Sequence, residues 1–222
     1  MMLNLIDQLQ EKERKNLFII INDDEEVGSP ASKKIYLQQL EGIQTALVFE
    51  PGLPDGSFVS SQSGVKWIEI DIEGTAAHAG TDHKLGASAC SEAGHKIVEL
   101  QNLTDYKKNL TVNIGVMSGG KKPNIVCDKA KLRIDIRYQN KADLQQLMQE
   151  IHSIARRTHI HSHTHRTPTR SELSEIVQMP NLPPESSKAL LPFAKKAGEK
   201  AGTKFTHGHV GYGSDGNNLS VH

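Results

Sequence analysis

The run Leu17-Phe18-Ile19-Ile20-Ile21 stops abruptly at Asn22-Asp23-Asp24-Glu25-Glu26, followed by Val27-Gly28-Ser29. A short apolar run rich in β-branched residues reads as a buried strand of a parallel sheet. Consecutive carboxylates at its carboxyl end repel one another, so stability alone does not place them there. Open α/β sheets bind ligands beyond the carboxyl ends of their strands. Acids in that position suit two tasks, holding a cation and moving a proton.

A second run points to the same edge. Thr45-Ala46-Leu47-Val48-Phe49 is short and apolar and ends in Glu50-Pro51-Gly52. Between the runs, Ile35, Leu37, Leu40 and Ile43 carry helical spacing, with Ser29 suited to the N-cap and Pro30 to the first turn. Strand, helix and strand imply a right-handed βαβ crossover. Both carboxyl ends then share one edge, where Glu25, Glu26 and Glu50 converge. The alternative for the acidic run is a solvated loop.

The texture changes after the Gly-, Pro- and Ser-rich stretch Pro51–Gly64, which reads as a linker. In Val65–Ile72, Lys66, Ile68, Ile70 and Ile72 share one face, the pattern of a half-exposed antiparallel strand. Leu85–Leu100 has helical spacing, Leu110–Val116 and Ile125–Tyr138 alternate, Lys141–Arg157 is an amphipathic helix, and Thr158–Arg166 alternates again. That order is the split βαβ, ferredoxin-like pattern. Ahead of the first strand, Leu3–Glu13 reads as a surface helix with Leu3, Ile6 and Leu9 inward. Toward the other end come a helix over Pro183–Gly202, a strand over Phe205–His209, the turn Gly211-Tyr212-Gly213-Ser214-Asp215-Gly216, and a helix from Asn217.

The fold class is therefore α/β: a partial parallel-sheet catalytic domain carrying an inserted ferredoxin-like α+β lid. The expected domains are 1–62 (catalytic, first part), 63–168 (lid) and 169–222 (catalytic, second part). At 222 residues, the chain can hold a sizeable core. Its formal net charge of zero gives no ground for nucleic acid or an anionic membrane as partner. No stretch approaches the apolar span of about 20 residues that a membrane needs. Met1–Lys15 is too charged for a signal peptide. Cys90 and Cys127 make no disulfide framework, so reduced thiols and a cytoplasmic location are expected.

The six segments Asn22–Ser29, Val48–Pro51, Gly74-Thr75-Ala76-Ala77-His78-Ala79-Gly80, Pro123-Asn124-Ile125-Val126, Asp135-Ile136-Arg137-Tyr138 and Gly213-Ser214-Asp215-Gly216 together resemble the zinc-dependent aminoacylase and glutamate carboxypeptidase family. That family includes acetylornithine deacetylase and succinyl-diaminopimelate desuccinylase. The resemblance implies a catalytic domain with two zinc ions per subunit and a lid that forms a homodimer. It implies hydrolysis of an N-acyl amino acid or small peptide, in which a metal-bridging water attacks the amide carbonyl. By the same resemblance Glu25 is the general base, Glu26 and Glu50 each ligate one zinc, and His78 crosses the dimer to stabilise the developing oxyanion. Asn124 and Arg137 bind substrate carbonyl or carboxylate, for which a guanidinium fork is suited. Ser214 and Asp215 form the substrate-side turn.

The chain also departs from the pattern. The resemblance calls for a His-x-Asp motif and a bridging aspartate ahead of the acidic run, and for a late histidine ligand. His222 stands only seven residues past Asp215 and is not accepted as that ligand. Catalytic zinc takes three protein ligands. The expectation is thus a truncated chain that does not retain zinc and is inactive alone. The rival is a non-catalytic dimerisation or binding module, and a carboxylate-rich calcium or magnesium binder is a third. His159, His161, His163 and His165 would share one face of a strand. They read as an exposed lid strand, with a fortuitous metal site as the alternative.

Overall fold

The computed structural model describes residues 6–40 and 42–220, and the chain divides into two units, 1–43 and 44–222. Leu3 lies outside the described residues. In the first unit the chain forms a short helix α1 (Glu11–Arg14), a 3-10 turn at Glu25–Val27 and a helix α2 (Ser32–Gln38) that buries Tyr36. The helix expected from Ser29 is shorter and differently capped. Ser29 takes a left-handed φ of 54° directly after Gly28 at 91°, and the two turn the chain sharply. Asp24 caps α2 instead, accepting from the Ala31 and Ser32 amides at 2.9 and 3.1 Å and from the Ser32 hydroxyl.

Neither Leu17–Ile21 nor Thr45–Phe49 is a strand among the described residues, which corrects the sequence reading. Ile21 is 77% exposed and Leu47 75%. Apolarity alone does not make a strand; each needs a neighbour to satisfy its amides and carbonyls. Parallel pairing occurs elsewhere, between β1 (Phe58–Gln62), inside the expected linker, and β6 (His207–Val210).

The centre of the second unit is an antiparallel sheet of β2 (Gly64–Glu73), β3 (Thr111–Gly119), β4 (Lys129–Tyr138) and β5 (Arg170–Met179), ordered β3-β4-β2-β5. Helix α3 (Ala89–Gln101) connects β2 to β3, and α4 (Lys141–Arg156) connects β4 to β5. Mixed parallel and antiparallel α/β architecture with a split βαβ module is therefore what the chain forms. The driving force is legible in the burial. Ile68, Ile70 and Ile72 of β2 and Leu132, Ile134 and Ile136 of β4 alternate inward. They pack against Ala89, Ala93 and Leu100 of α3 and Leu144, Leu147, Ile151 and Ile154 of α4. Ser88 and Asn140 cap the two helices, accepting from the Ser91 and Ala142 amides.

Under this layer lies an ion pair with no solvent exposure. Glu92 and Lys96, one turn apart on α3, meet at 3.0 Å. Lys96 also donates to the carbonyls of Ile154, Ala155 and Arg157, which close the end of α4. The other Glu92 oxygen accepts from the His159 and Ile160 amides and the Thr169 hydroxyl. This explains why the histidine run is not a strand. Glu92 takes amides that a sheet ladder would need, and residues 158–169 close into a loop through Ser162 N to Thr167 O and Thr169 N to Ile160 O. The strand forms after it, as β5. His159 instead lies 2.8 Å from Glu99 and stacks on His95.

The expected reduced thiols are also corrected. Cys90, in the first turn of α3, and Cys127, just before β4, form a disulfide. Past β5 come α5 (Pro184–Ser187), α6 (Leu191–Lys200) and α7 (Asp215–Leu219). No helix among the described residues is long and apolar enough to cross a membrane.

Candidate ligand-binding site

The second unit gathers the candidate residues into two groups at opposite ends of β2. The first lies beyond Glu73. There the chain continues as a narrow ribbon, with Val126 N bonded to Ala77 O and Ala79 N to Asn124 O, both at 2.9 Å. His78 pairs across this ribbon with Ile125, so His78 and Asn124 are neighbours. Gly74 sets the base of the ribbon, because a Cβ there would stand 2.1 Å from the Ala87 carbonyl oxygen. The His78 ring is exposed, and its Nδ1 accepts from the Gly80 and Thr81 amides at 3.1 and 3.2 Å. With Nδ1 taken up as an acceptor, Nε2 is the ring nitrogen of His78 left to donate.

The second group lies at the start of β2. Arg137 on β4 is paired in register with Val65, on the sheet face opposite the helices. Its Nε donates to Asp135 at 2.8 Å. The other Asp135 oxygen accepts from the indole of Trp67 at 2.6 Å. The glycine-rich turn abuts the same spot, since a Cβ on Gly213 would stand 3.1 Å from the Val65 side chain. Ser214 is buried and caps α7. Its hydroxyl donates to Gln62 at 2.9 Å and accepts from the Gly216 amide. Asp215, half-buried, opens that helix. Asn217 ties the turn to the sheet by donating to Ser63 O and Pro180 O.

The three candidate carboxylates belong to both units. Glu25, half-buried, and Glu26, exposed, lie in the first unit, and Glu50, exposed, in the second. For Asp24, the Ser32 hydroxyl, helped by the Ala31 amide, holds the carboxyl below the ordinary range. Among the described residues no three His, Cys, Asp or Glu side chains gather as a metal centre requires. One carboxylate for each zinc falls short of three protein ligands, so the donor set present does not fit a catalytic zinc. His222 lies outside the described residues.

Sequence reasoning quoted Asp135 only as part of a segment and gave neither it nor Trp67 a role. The Asp-x-Arg spacing on an alternating strand was the available signal, because residues two apart share a face.

Residues 60–163 match the family profile of the peptidase dimerisation domain of the M20 type. Carboxypeptidase G2 of Pseudomonas sp. (strain RS-16) is 29% identical over 150 residues, covering 67% of this chain and 36% of that protein. Acetylornithine deacetylase of Myxococcus xanthus is 31% identical over 123 residues, covering 50% of this chain and 31% of that protein. The chain thus spans about a third of the length of these two relatives. The crystal structure of aminopeptidase PepT from Bacillus cereus ATCC 10987 superposes with a TM-score of 0.64 at 23% identity, over 79% of this chain and 45% of that one. At that identity it shows the fold alone.

Proposed function

Because the chain belongs to the M20 peptidase family, we propose that it supplies the dimerisation lid and substrate-carboxylate grip of a homodimeric amidohydrolase acting on N-acyl amino acids or short peptides. A carboxypeptidase and a deacetylase of an acylated amino acid both break an amide bond, which supports this class.

The observation that carries the reading is the separation of the two groups. Val65, beside Arg137, and Glu73, before the His78 ribbon, are eight residues apart on one strand. At about 3.4 Å per residue that is about 27 Å. One small substrate cannot touch both ends of β2 in one subunit. Two copies arranged head to tail would bring the His78 and Asn124 ribbon of one subunit to the Arg137 and Gly213–Asp215 corner of the other. In that composite site Arg137 grips the free carboxylate, Asn124 binds the carbonyl, and the Nε2–H of His78 faces the oxygen where charge develops.

The dimer contact falls on the outer face of α3 and the edge strand β3. Gly94 sits mid-helix on that face with open space around it. A mid-helix glycine costs about 1 kcal/mol relative to alanine, and close approach of a second backbone gives it a use. Val98, one turn further along α3, and Val116 and Met117 on β3 are exposed.

Glu25 is the proposed proton acceptor, with Glu26 and Glu50 as metal-side carboxylates. Their donor set is short of a catalytic centre, so the purified chain is expected not to hydrolyse amides by itself. That same shortage favours the second reading, a non-catalytic dimerisation and binding module. Light scattering of the purified chain, beside Gly94→Arg, tests the shared part: a dimer is expected, converted to monomer by the substitution. A monomer at high concentration would sink it. Hydrolysis of an N-acyl amino acid by the chain, abolished in Glu25→Gln, would show a complete active site and overturn the expected inactivity.

A further inference from the structure

We propose that Asp135, clamped by Trp67, is a positioning residue that aims the terminal nitrogens of Arg137 at a ligand carboxylate. The inference rests on the reading of Arg137 as the carboxylate grip and adds how that grip is built.

An exposed arginine has many rotamers, and holding it ready for a ligand requires something that fixes the guanidinium without using its bidentate end. Asp135 does this. Its Oδ2 takes only the inner nitrogen, Nε, at 2.8 Å. Among the described residues Arg137 makes no other hydrogen bond or ion pair, so the Nη pair is left for a planar partner. Asp135 is itself prevented from swinging round to the Nη end, because Trp67 Nε1 holds its Oδ1 at 2.6 Å. Sheet register builds the arrangement: Trp67 is opposite Asp135, Val65 opposite Arg137, and Asp135 and Arg137 are two residues apart on one face. Both side chains of the pair are only 27–30% exposed.

The competing account is a surface ion pair with no aim. It makes the opposite prediction for an isosteric change. Asp135 carries a negative charge next to the proposed carboxylate site. If its only role were electrostatic, removing that charge would tighten carboxylate binding. If it positions Arg137, Asp135→Asn weakens binding, because the amide cannot hold Nε and the indole together as the carboxylate does.

Trp67 is the chain's only tryptophan, so it reports on this corner directly. The test titrates the full chain with glutarate, following Trp67 emission and the indole N–H resonance, with sodium chloride at matched ionic strength as control. A saturable response is expected, weakened about tenfold by Asp135→Asn and by the charge-preserving Arg137→Lys. Lysine has no fork to aim, so Asp135→Asn should weaken binding no further in the Arg137→Lys background. A purely structural role would predict additive losses there. No saturable response in the parent chain would remove the carboxylate reading of Arg137 itself. Glutarate binding in Asp135→Asn as tight as in the parent, or tighter, would overturn the positioning role and leave that reading standing.

Discussion

The Glu92–Lys96 pair shows what one residue can decide. Both groups have lost their water, and the pair survives because every charge is also hydrogen-bonded: Lys96 by three carbonyls, Glu92 by two amides and a hydroxyl. Burial alone would push the Glu92 carboxyl up. The bonds from Lys96, the His159 and Ile160 amides and Thr169 outweigh it and hold the carboxyl below its ordinary value. Such a group binds its proton later in the folded than in the unfolded chain as pH falls. Its contribution is therefore complete above the unfolded carboxylate pKa and is lost as pH drops through the lower folded value. Substituting one partner strands the other charge in the core. Glu92→Gln should cost about 3–5 kcal/mol in urea unfolding at neutral pH, since it leaves a buried ammonium uncompensated. The paired change Glu92→Leu, Lys96→Met should cost less than the single one; a larger loss would show that the hydrogen bonds, not the stranded charge, dominate. None of this was legible in the sequence. Nothing local marks the i,i+4 spacing of Glu92 and Lys96 as a buried pair, and only the return of residues 154–169 over α3 buries them.

At the scale of elements, legibility followed periodicity. The alternation of Ile68, Ile70 and Ile72 and the amphipathic pattern of Lys141–Arg157 are local signals, and the corresponding elements formed close to where they were expected. The failures were of two kinds. The histidine run alternates like a strand, yet Glu92 from a distant helix claims its amides. Leu17–Ile21 and Thr45–Phe49 have strand composition, but pairing is a non-local property that composition does not carry. The disulfide belongs to the same class. Cys90 and Cys127 stand 37 residues apart in sequence, and sheet topology alone brings them together. The bridge joins the first turn of α3 to the segment before β4 that holds Asn124 and pairs with His78. Closing a loop of that length stabilises by about 2–4 kcal/mol, through the reduced freedom of the unfolded chain. Chemical denaturation with and without a dithiol reductant should show a loss of that size in the parent and none in Cys90→Ser. Equal midpoints in the parent under both conditions would mean the bridge does not form in solution.

At the scale of the whole molecule, the distance between the two groups within one copy is the ground for proposing a composite site. The ribbon and the Arg137 corner are fixed to opposite ends of β2, a strand hydrogen-bonded on both sides along its whole length. No side-chain rearrangement shortens that distance. If a ligand is to meet both groups, it does so between subunits, and the contact across the dimer is then a property of two chains rather than one. Single cysteines make this measurable, since the native pair is already engaged in its disulfide. Chains carrying His78→Cys are mixed with chains carrying Arg137→Cys and treated with a bismaleimide whose reach is well under half the strand length separating the two groups. A covalent heterodimer is expected, increasing with chain concentration up to the dimerisation midpoint and abolished by Gly94→Arg. A chain bearing both substitutions should give no internal cross-link when diluted to monomer. Cross-linking within the diluted double variant would mean that the two ends of β2 approach each other in one copy, and the composite site would have to be abandoned. Failure of the mixed chains to cross-link at concentrations where light scattering shows a dimer would place the dimer contact elsewhere, with each site built from one subunit alone.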